Sequence, residues 1–297
     1  MRYKKAKTVL FIMFILLAVI GVTAYVSNQF ILVSEYELVY SKLPASFDGY
    51  RILQLSDLHS KEFDDGNDKL LKKIRGQNPD MIVLTGDMVN STDLDFSVFL
   101  SLASDLSAGY EIYYIVGNHE QSLSDSSLKH LHSKLEEMGV QILDNERAVI
   151  NRDNDSIDLY GLWFNLRYYS DRSNDYVKND AETYYFSVDK IKKVIGENDG
   201  SRFSILLAHN PLYADTYFKW GADLTFSGHV HGGMIRLPFL GGIYSPERTF
   251  FPEYDGGLYT FGEQNLIVSR GIGNGNLGFR FLNCPEIVTV TLKKAAE

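Results

Sequence analysis

Hydrophobic positions along this 297-residue chain fall into three regimes. Thr8 to Val26 is a run of nineteen residues without a charge. At about 1.5 Å per residue, a helix of that length just crosses a hydrocarbon core of roughly 30 Å. Nothing in the run offers a polar face, which argues against a helix of a soluble core. Two readings stay open: a retained membrane anchor, or a signal peptide cut after Val22-Thr23-Ala24. No polar break separates Ala24 from the apolar run, and this favours the anchor.

From about Ser34 the pattern changes to short apolar runs alternating with helical spacing. Arg51–Ser56, Asp80–Thr85, Glu111–Val116, Phe203–Ala208, Asp223–Ser227, Asn265–Ser269 and Ile287–Leu292 read as buried strands bounded by polar or glycine residues. Between the first strands, Asp65–Gln77 places Leu70, Leu71 and Ile74 at helical spacing. Leu94–Ala108 places Leu94, Val98, Leu102 and Leu106 on one helix face. Strands alternating with helices of this length predict βαβ units and a sheet covered on both faces. The third regime, Tyr168–Lys178, is rich in Tyr, Ser and Asp and reads as a surface insertion.

Composition narrows the picture. Apolar residues make up 45% and charged residues 23%, which excludes a disordered, collagen-like or many-spanning chain. The net charge is −9, but Arg2, Lys4, Lys5 and Lys7 precede the apolar run without any acid, so the remainder carries −13. Basic residues before a span stay cytoplasmic, which puts the body outside, in the cell membrane's extracytoplasmic space. An acidic body is poorly suited to nucleic acid. The single cysteine, Cys284, excludes an intrachain disulfide and a Cys-rich metal site.

Polar residues gather where the strands end: Ser56-Asp57-Leu58-His59, Thr85-Gly86-Asp87-Met88, Gly117-Asn118-His119-Glu120, Ala208-His209-Asn210-Pro211 and Gly228-His229-Val230-His231-Gly232-Gly233. Ligands of open α/β sheets bind at the carboxyl ends of strands. One such histidine is usually a packed or surface residue, but five strand exits deliver five of the chain's seven histidines. Imidazole, carboxylate and amide oxygen without thiolate suit manganese, iron or zinc. Seven donors exceed what one ion needs with room for substrate. Shared between two ions, they form the clamp used for in-line displacement at phosphorus.

In order, Asp57-x-His59, Gly86-Asp87, Gly117-Asn118-His119-Glu120, His209 and Gly228-His229-x-His231 resemble the five motifs of the calcineurin-like metallophosphoesterases. Gly232–Pro238, Ser269-Arg270-Gly271 and Asn283-Cys284-Pro285-Glu286 resemble its membrane-associated bacterial branch of YkuE/YaeI type. The resemblance implies an α/β metallophosphoesterase sandwich of β-sheets flanked by helices, after one N-terminal transmembrane helix. Residues 1–30 would be the membrane anchor (or an uncleaved signal) and 31–297 the catalytic domain. It implies two divalent metal ions, manganese, iron or zinc. One would be held by Asp57, His59, Asp87 and His231, the other by Asp87, Asn118, His209 and His229, with Asp87 bridging. His119 would face the substrate as general acid, and Glu120 would orient a histidine or stand as a plain surface acid. The expected activity is hydrolysis of phosphate mono- or diesters, membrane-lipid or nucleotide-sugar esters among them, by metal-activated hydroxide.

The second motif continues Met88-Val89-Asn90-Ser91, without the arginine of the phosphoprotein phosphatases, which weakens that alternative. A non-catalytic module stapled by metal would not need His119. Arg236, Arg270 or Arg280 is available as a phosphate clamp, with Arg280 taken as the substrate-binding candidate. Gly273-x-Gly275-x-x-Gly278 is followed by Phe279-Arg280-Phe281 rather than a helix, so it reads as a loop. His130 and His132 read as solvated residues, the two Ser-x-x-Lys matches as chance, and Cys284 as a packed small residue.

Overall fold

The structure, a computed structural model, describes residues 2–170, 174–246, 249–275, 278 and 280–296. Helix α1 (Arg2–Gln29) carries the apolar run; among the described residues it alone is long and apolar enough to cross a membrane. Fourteen strands follow in the described chain: β1 (Leu32–Tyr40), β2 (Arg51–Leu55), β3 (Met81–Leu84), β4 (Glu111–Tyr114) and β5 (Gln141–Ile142) in the first half. Next come β6 (Arg147–Arg152), β7 (Asp155–Leu162), β8 (Ser204–Ala208) and β9 (Leu224–Ser227). The short hairpin β10 (Arg236–Leu237) and β11 (Gly241–Gly242) precedes β12 (Gly257–Phe261), β13 (Gln264–Val268) and β14 (Glu286–Lys294). Two six-stranded sheets result, ordered β1-β14-β2-β3-β4-β5 and β12-β13-β9-β8-β7-β6.

Alternation along the strands explains why the sheets stack. Met81 and Val83 of β3 point into the core between the sheets, with Ile52, Ile205, Leu207 and Phe226. Ile82 and Leu84 point the other way, against α2 (Asp68–Arg75), α3 (Ser97–Ser107) and, beyond the four-residue α4 (Asn118–Gln121), α5 (Asp125–Glu137). The helices Val188–Ile195 and Ala214–Trp220 cover the second sheet. The result is the expected sandwich of sheets flanked by helices. Leu94 departs from the expected helix face: it is 98% exposed. The helix starts later because the Asp95 carboxylate accepts the Ser97 N–H (2.8 Å).

Topology puts two ends of the molecule together. β2, β3 and β4 are parallel, so their carboxyl ends share one edge. β14 runs antiparallel to β2, and β1 runs parallel to β14, pairing Leu32 with Glu286. The start of β1, and with it the end of α1, therefore lies at the edge where β2 to β4 end.

Candidate metal centre

Tight turns follow the strands, and the backbone there is unusual. Asp57 (φ +53°), His59 (+49°), Asp87 (+53°), His229 (+70°) and His231 (+54°) all sit in the left-handed region. Non-glycine residues there cost about 1–3 kcal/mol each unless the surroundings hold them. Cross-links between turns do so: Asp57 N–H donates to Gly86 O (3.0 Å), His59 N–H to Asp87 O (3.0 Å), and His229 N–H to Asp57 Oδ1 (3.0 Å). Gly117 and Gly228 are glycines because any side chain would run into the Asp87 and Asp57 carboxylates respectively.

The side chains converge. Asp87 Oδ2 lies 3.2 Å from His209 Nε2 and 3.8 Å from His59 Nε2. His59 Nε2 faces His231 Nε2 at 3.1 Å, and His231 Nε2 lies 3.4 Å from Asp57 Oδ1. Asp57, His59 and His231 form one set of donors within metal-sharing distance, and Asp87, His209 and His229 form another. Distal contacts aim the rings. His59 Nδ1 meets Asn90 Oδ1 (3.1 Å) and His209 Nδ1 meets Thr85 O (2.6 Å), so each Nδ1–H donates and each Nε2 is turned toward the cluster. Asn118 Oδ1 is buried with no hydrogen-bond partner among the described residues, as an amide ligand would be. This donor set fits divalent metal ions. Asp87, Asn118, His119, His229 and His231, with Tyr169 and Pro246, line a cavity of about 200 Å³.

Charges support the same centre. Burial opposes ionisation of Asp87, but His209, His59 and His119 overcome it and hold its carboxyl well below the usual range. Burial likewise opposes charge on His209, yet Asp87 and Asp57 raise it to about 10. Burial, joined by His59 and Arg280, pushes His231 well below its ordinary value. His119 is lowered by burial, against the pull of Asp87.

Four residues stand where sequence reasoning did not place them. Glu120 is fully buried and orients no histidine; its carboxylate accepts N–H bonds from Gly117 (2.8 Å), Asp87 (2.9 Å) and Met88 (2.6 Å). Arg280 is also fully buried and does not line the cavity; its Nε donates to Gly273 O (2.7 Å) beside Asp57. The substrate-binding role expected of it does not fit this placement. The other two arginines are engaged as well, Arg236 with Asp255 (3.1 Å) and Arg270 with Glu286 (2.5 Å). Tyr169, read only as part of a surface insertion, packs edge-on to His229 with ring centroids 4.9 Å apart. His132 is half-buried against Tyr114, whereas His130 is exposed. Asn276, Leu277 and Phe279 of the glycine loop lie outside the described residues.

A family model described as calcineurin-like phosphoesterase matches residues 50–233, more than half of the chain. The chain is 28% identical to the uncharacterized metallophosphoesterase YkuE of Bacillus subtilis (strain 168), over 92% of this chain and 89% of that one. It is 31% identical to the uncharacterized metallophosphoesterase Cj0846 of Campylobacter jejuni, over 94% of this chain and 68% of that one. It is 28% identical to phosphodiesterase YaeI of Escherichia coli (strain K12), over 86% and 88%. With its motifs brought together from both sheets of the sandwich around a cluster fit for divalent metal, this chain belongs to the calcineurin-like phosphoesterase family of hydrolases.

Proposed function

We propose that the protein is a membrane-anchored, dinuclear metal-dependent phosphoesterase, with Asp87 as the bridging carboxylate. The observation that carries this is the position of Asp87 Oδ2, within 4 Å of imidazole nitrogens from both donor sets. Asp57, His59, Asp87 and His231 would hold one ion, and Asp87, Asn118, His209 and His229 the other. Such ions supply positive charge for the phosphoryl oxygens and an activated water as nucleophile near neutral pH.

The chain's own groups do the rest. His119 Nδ1 accepts the Ser91 N–H (3.1 Å), so its neutral ring carries hydrogen on Nε2. That tautomer donates a hydrogen bond toward the cavity, and the lowered pKa keeps it neutral. A second proton on Nδ1 would meet the Ser91 N–H head-on. We therefore revise the expected general acid to a hydrogen-bond donor on a substrate oxygen. His119 also lies within reach of His59 and Asp87 as a ligand set, and the Ser91 contact is what argues against that role. Asp87 Oδ1 accepts the His119 backbone N–H (2.8 Å), tying donor to ligand. Tyr169 walls the cavity over His229.

The name of the Escherichia coli relative favours diesters. Placement of α1 in the membrane, with the body on the extracytoplasmic side, rests on its apolar length and the basic residues before it. The test is turnover of p-nitrophenyl phosphate and its bis ester by the full chain in detergent, after chelation and after adding back manganese, zinc or iron. Metal-dependent turnover supports the reading. Turnover indifferent to chelation overturns it, and metal binding without turnover supports the non-catalytic module instead.

A further inference from the structure

The end of α1 is bolted to the loop beside the metal centre. Asn28 pairs with the backbone of Arg280 in both directions: its amide donates to Arg280 O (2.9 Å) and its oxygen accepts Arg280 N–H (3.0 Å). Ser27 Oγ accepts the Leu282 N–H (2.9 Å), and Lys61 Nζ bridges Asn28 O and Asn274 Oδ1, both at 2.8 Å. The neighbouring residue Phe281 bridges Ile235 and accepts the Arg236 N–H (3.1 Å), so the β10–β11 hairpin sits on the same strip.

That hairpin presents an apolar tip. Phe239 is fully exposed, Leu240 62% and Phe251, just beyond it, 60% exposed. Phe239 (φ +68°) and Phe251 (φ +51°) hold left-handed backbone, a strained conformation for bulky residues. Asp255 ties both strands of the hairpin, pairing with Arg236 of β10 (3.1 Å) and accepting the Gly242 N–H of β11. Its root is His231 and its return passes Pro246, which lines the metal cavity. On the other flank of the α1 end, Lys72 and Lys73 of α2 line a groove with Phe30, and Lys73 Nζ stands 5.3 Å over the Phe30 ring. A basic cluster there contrasts with the acidic body, and it complements an anionic lipid surface.

We propose that the hairpin tip and the α2 lysines are a docking surface for the anionic phospholipid leaflet from which α1 emerges. Aromatic side chains belong at this depth of a bilayer, and a helix end fixed between them sets the height of the cavity. The metal centre then opens at headgroup level, onto phosphate esters carried by membrane lipids. The substrate part rests on the phosphoesterase reading above; the docking part does not.

The experiment uses the full chain reconstituted in vesicles of phosphatidylcholine and phosphatidylglycerol. Phe239→Trp is compared with Val39→Trp, an exposed site seven residues along β1, toward the opposite sheet edge. Emission added to that of Trp163 and Trp220 is followed on replacing the neutral lipid with brominated phosphatidylcholine. The proposal predicts quenching at 239 and none at 39; no quenching at 239 overturns it. In a second arm, Phe239→Ser with Leu240→Ser and Phe251→Ser should leave p-nitrophenyl ester turnover unchanged. Turnover of a phospholipid bearing a p-nitrophenyl headgroup should fall on the order of tenfold. Equal turnover of that lipid by variant and parent overturns the lipid-access claim. Absence of all turnover in the parent would sink the phosphoesterase reading while leaving the quenching result to decide docking.

Discussion

Glu120 holds Asp87 from behind. Its Oε2 accepts the Asp87 backbone N–H at 2.9 Å while its Oε1 accepts that of Met88 at 2.6 Å. The same carboxylate takes the Gly117 N–H, so one buried group fixes the second and third motif turns against each other. Removing it orphans buried donors, each worth about 1–3 kcal/mol. Glu120→Ala should lower stability by on the order of 3 kcal/mol in denaturant unfolding and weaken metal binding. Glu120→Gln, which keeps one acceptor oxygen, should lose less on both counts. A neutral Glu120→Ala in both measurements would contradict the bracing role.

Asp87 itself should be indispensable. Asp87→Asn should lose one or both metals and nearly all turnover, read by elemental analysis of the purified chain. His130→Ala, an exposed change on α5, should be close to neutral. A variant at 87 with two metals and parental rate would remove the bridge from the account.

His119→Ala should keep its metals and lose about 10²–10³ in turnover, the usual cost of one donor to a developing oxyanion. Because Nδ1 is occupied by Ser91 N–H, the loss should be similar for p-nitrophenyl and alkyl esters. A far larger loss for the alkyl ester would show that His119 delivers a proton after all. Loss of metal would show that it is a ligand.

Metal binding should release protons. Asp87 and Asp57 raise His209 to about 10, so below that pH a metal must displace the proton on its Nε2. Affinity should therefore rise with pH, by about tenfold per unit for each proton displaced. Calorimetry in buffers of different ionisation enthalpy measures the release. Affinity independent of pH between 6 and 9 would contradict the assignment of His209 as a ligand.

Seven of the fourteen strands, and the gathering of Asp and His at the ends of several of them, could be read from the chain because both are local signals. Strand exits of the form Gly-Asp or Gly-His-x-His put candidate donors where the strands end, and parallel strands end on the same side. Three features could not be read, for a shared reason. Glu120 braces turns some thirty residues back, Arg280 is buried behind Asp57, and Asn28 meets Arg280 across 252 residues. Each depends on how distant turns stack, which no spacing along the chain encodes. Leu94 differs for a local reason: helical periodicity extends through it, but the helix begins at Ser97, whose N–H the Asp95 carboxylate accepts.

Titrating metal into the chelator-treated full chain tests the central claim most directly. Turnover of bis-p-nitrophenyl phosphate is followed against equivalents added, with bound metal counted in the same samples. The dinuclear account predicts little turnover through the first equivalent, a rise with the second and a plateau at two per chain. Full turnover at a single equivalent, or binding of two without any turnover, would contradict it.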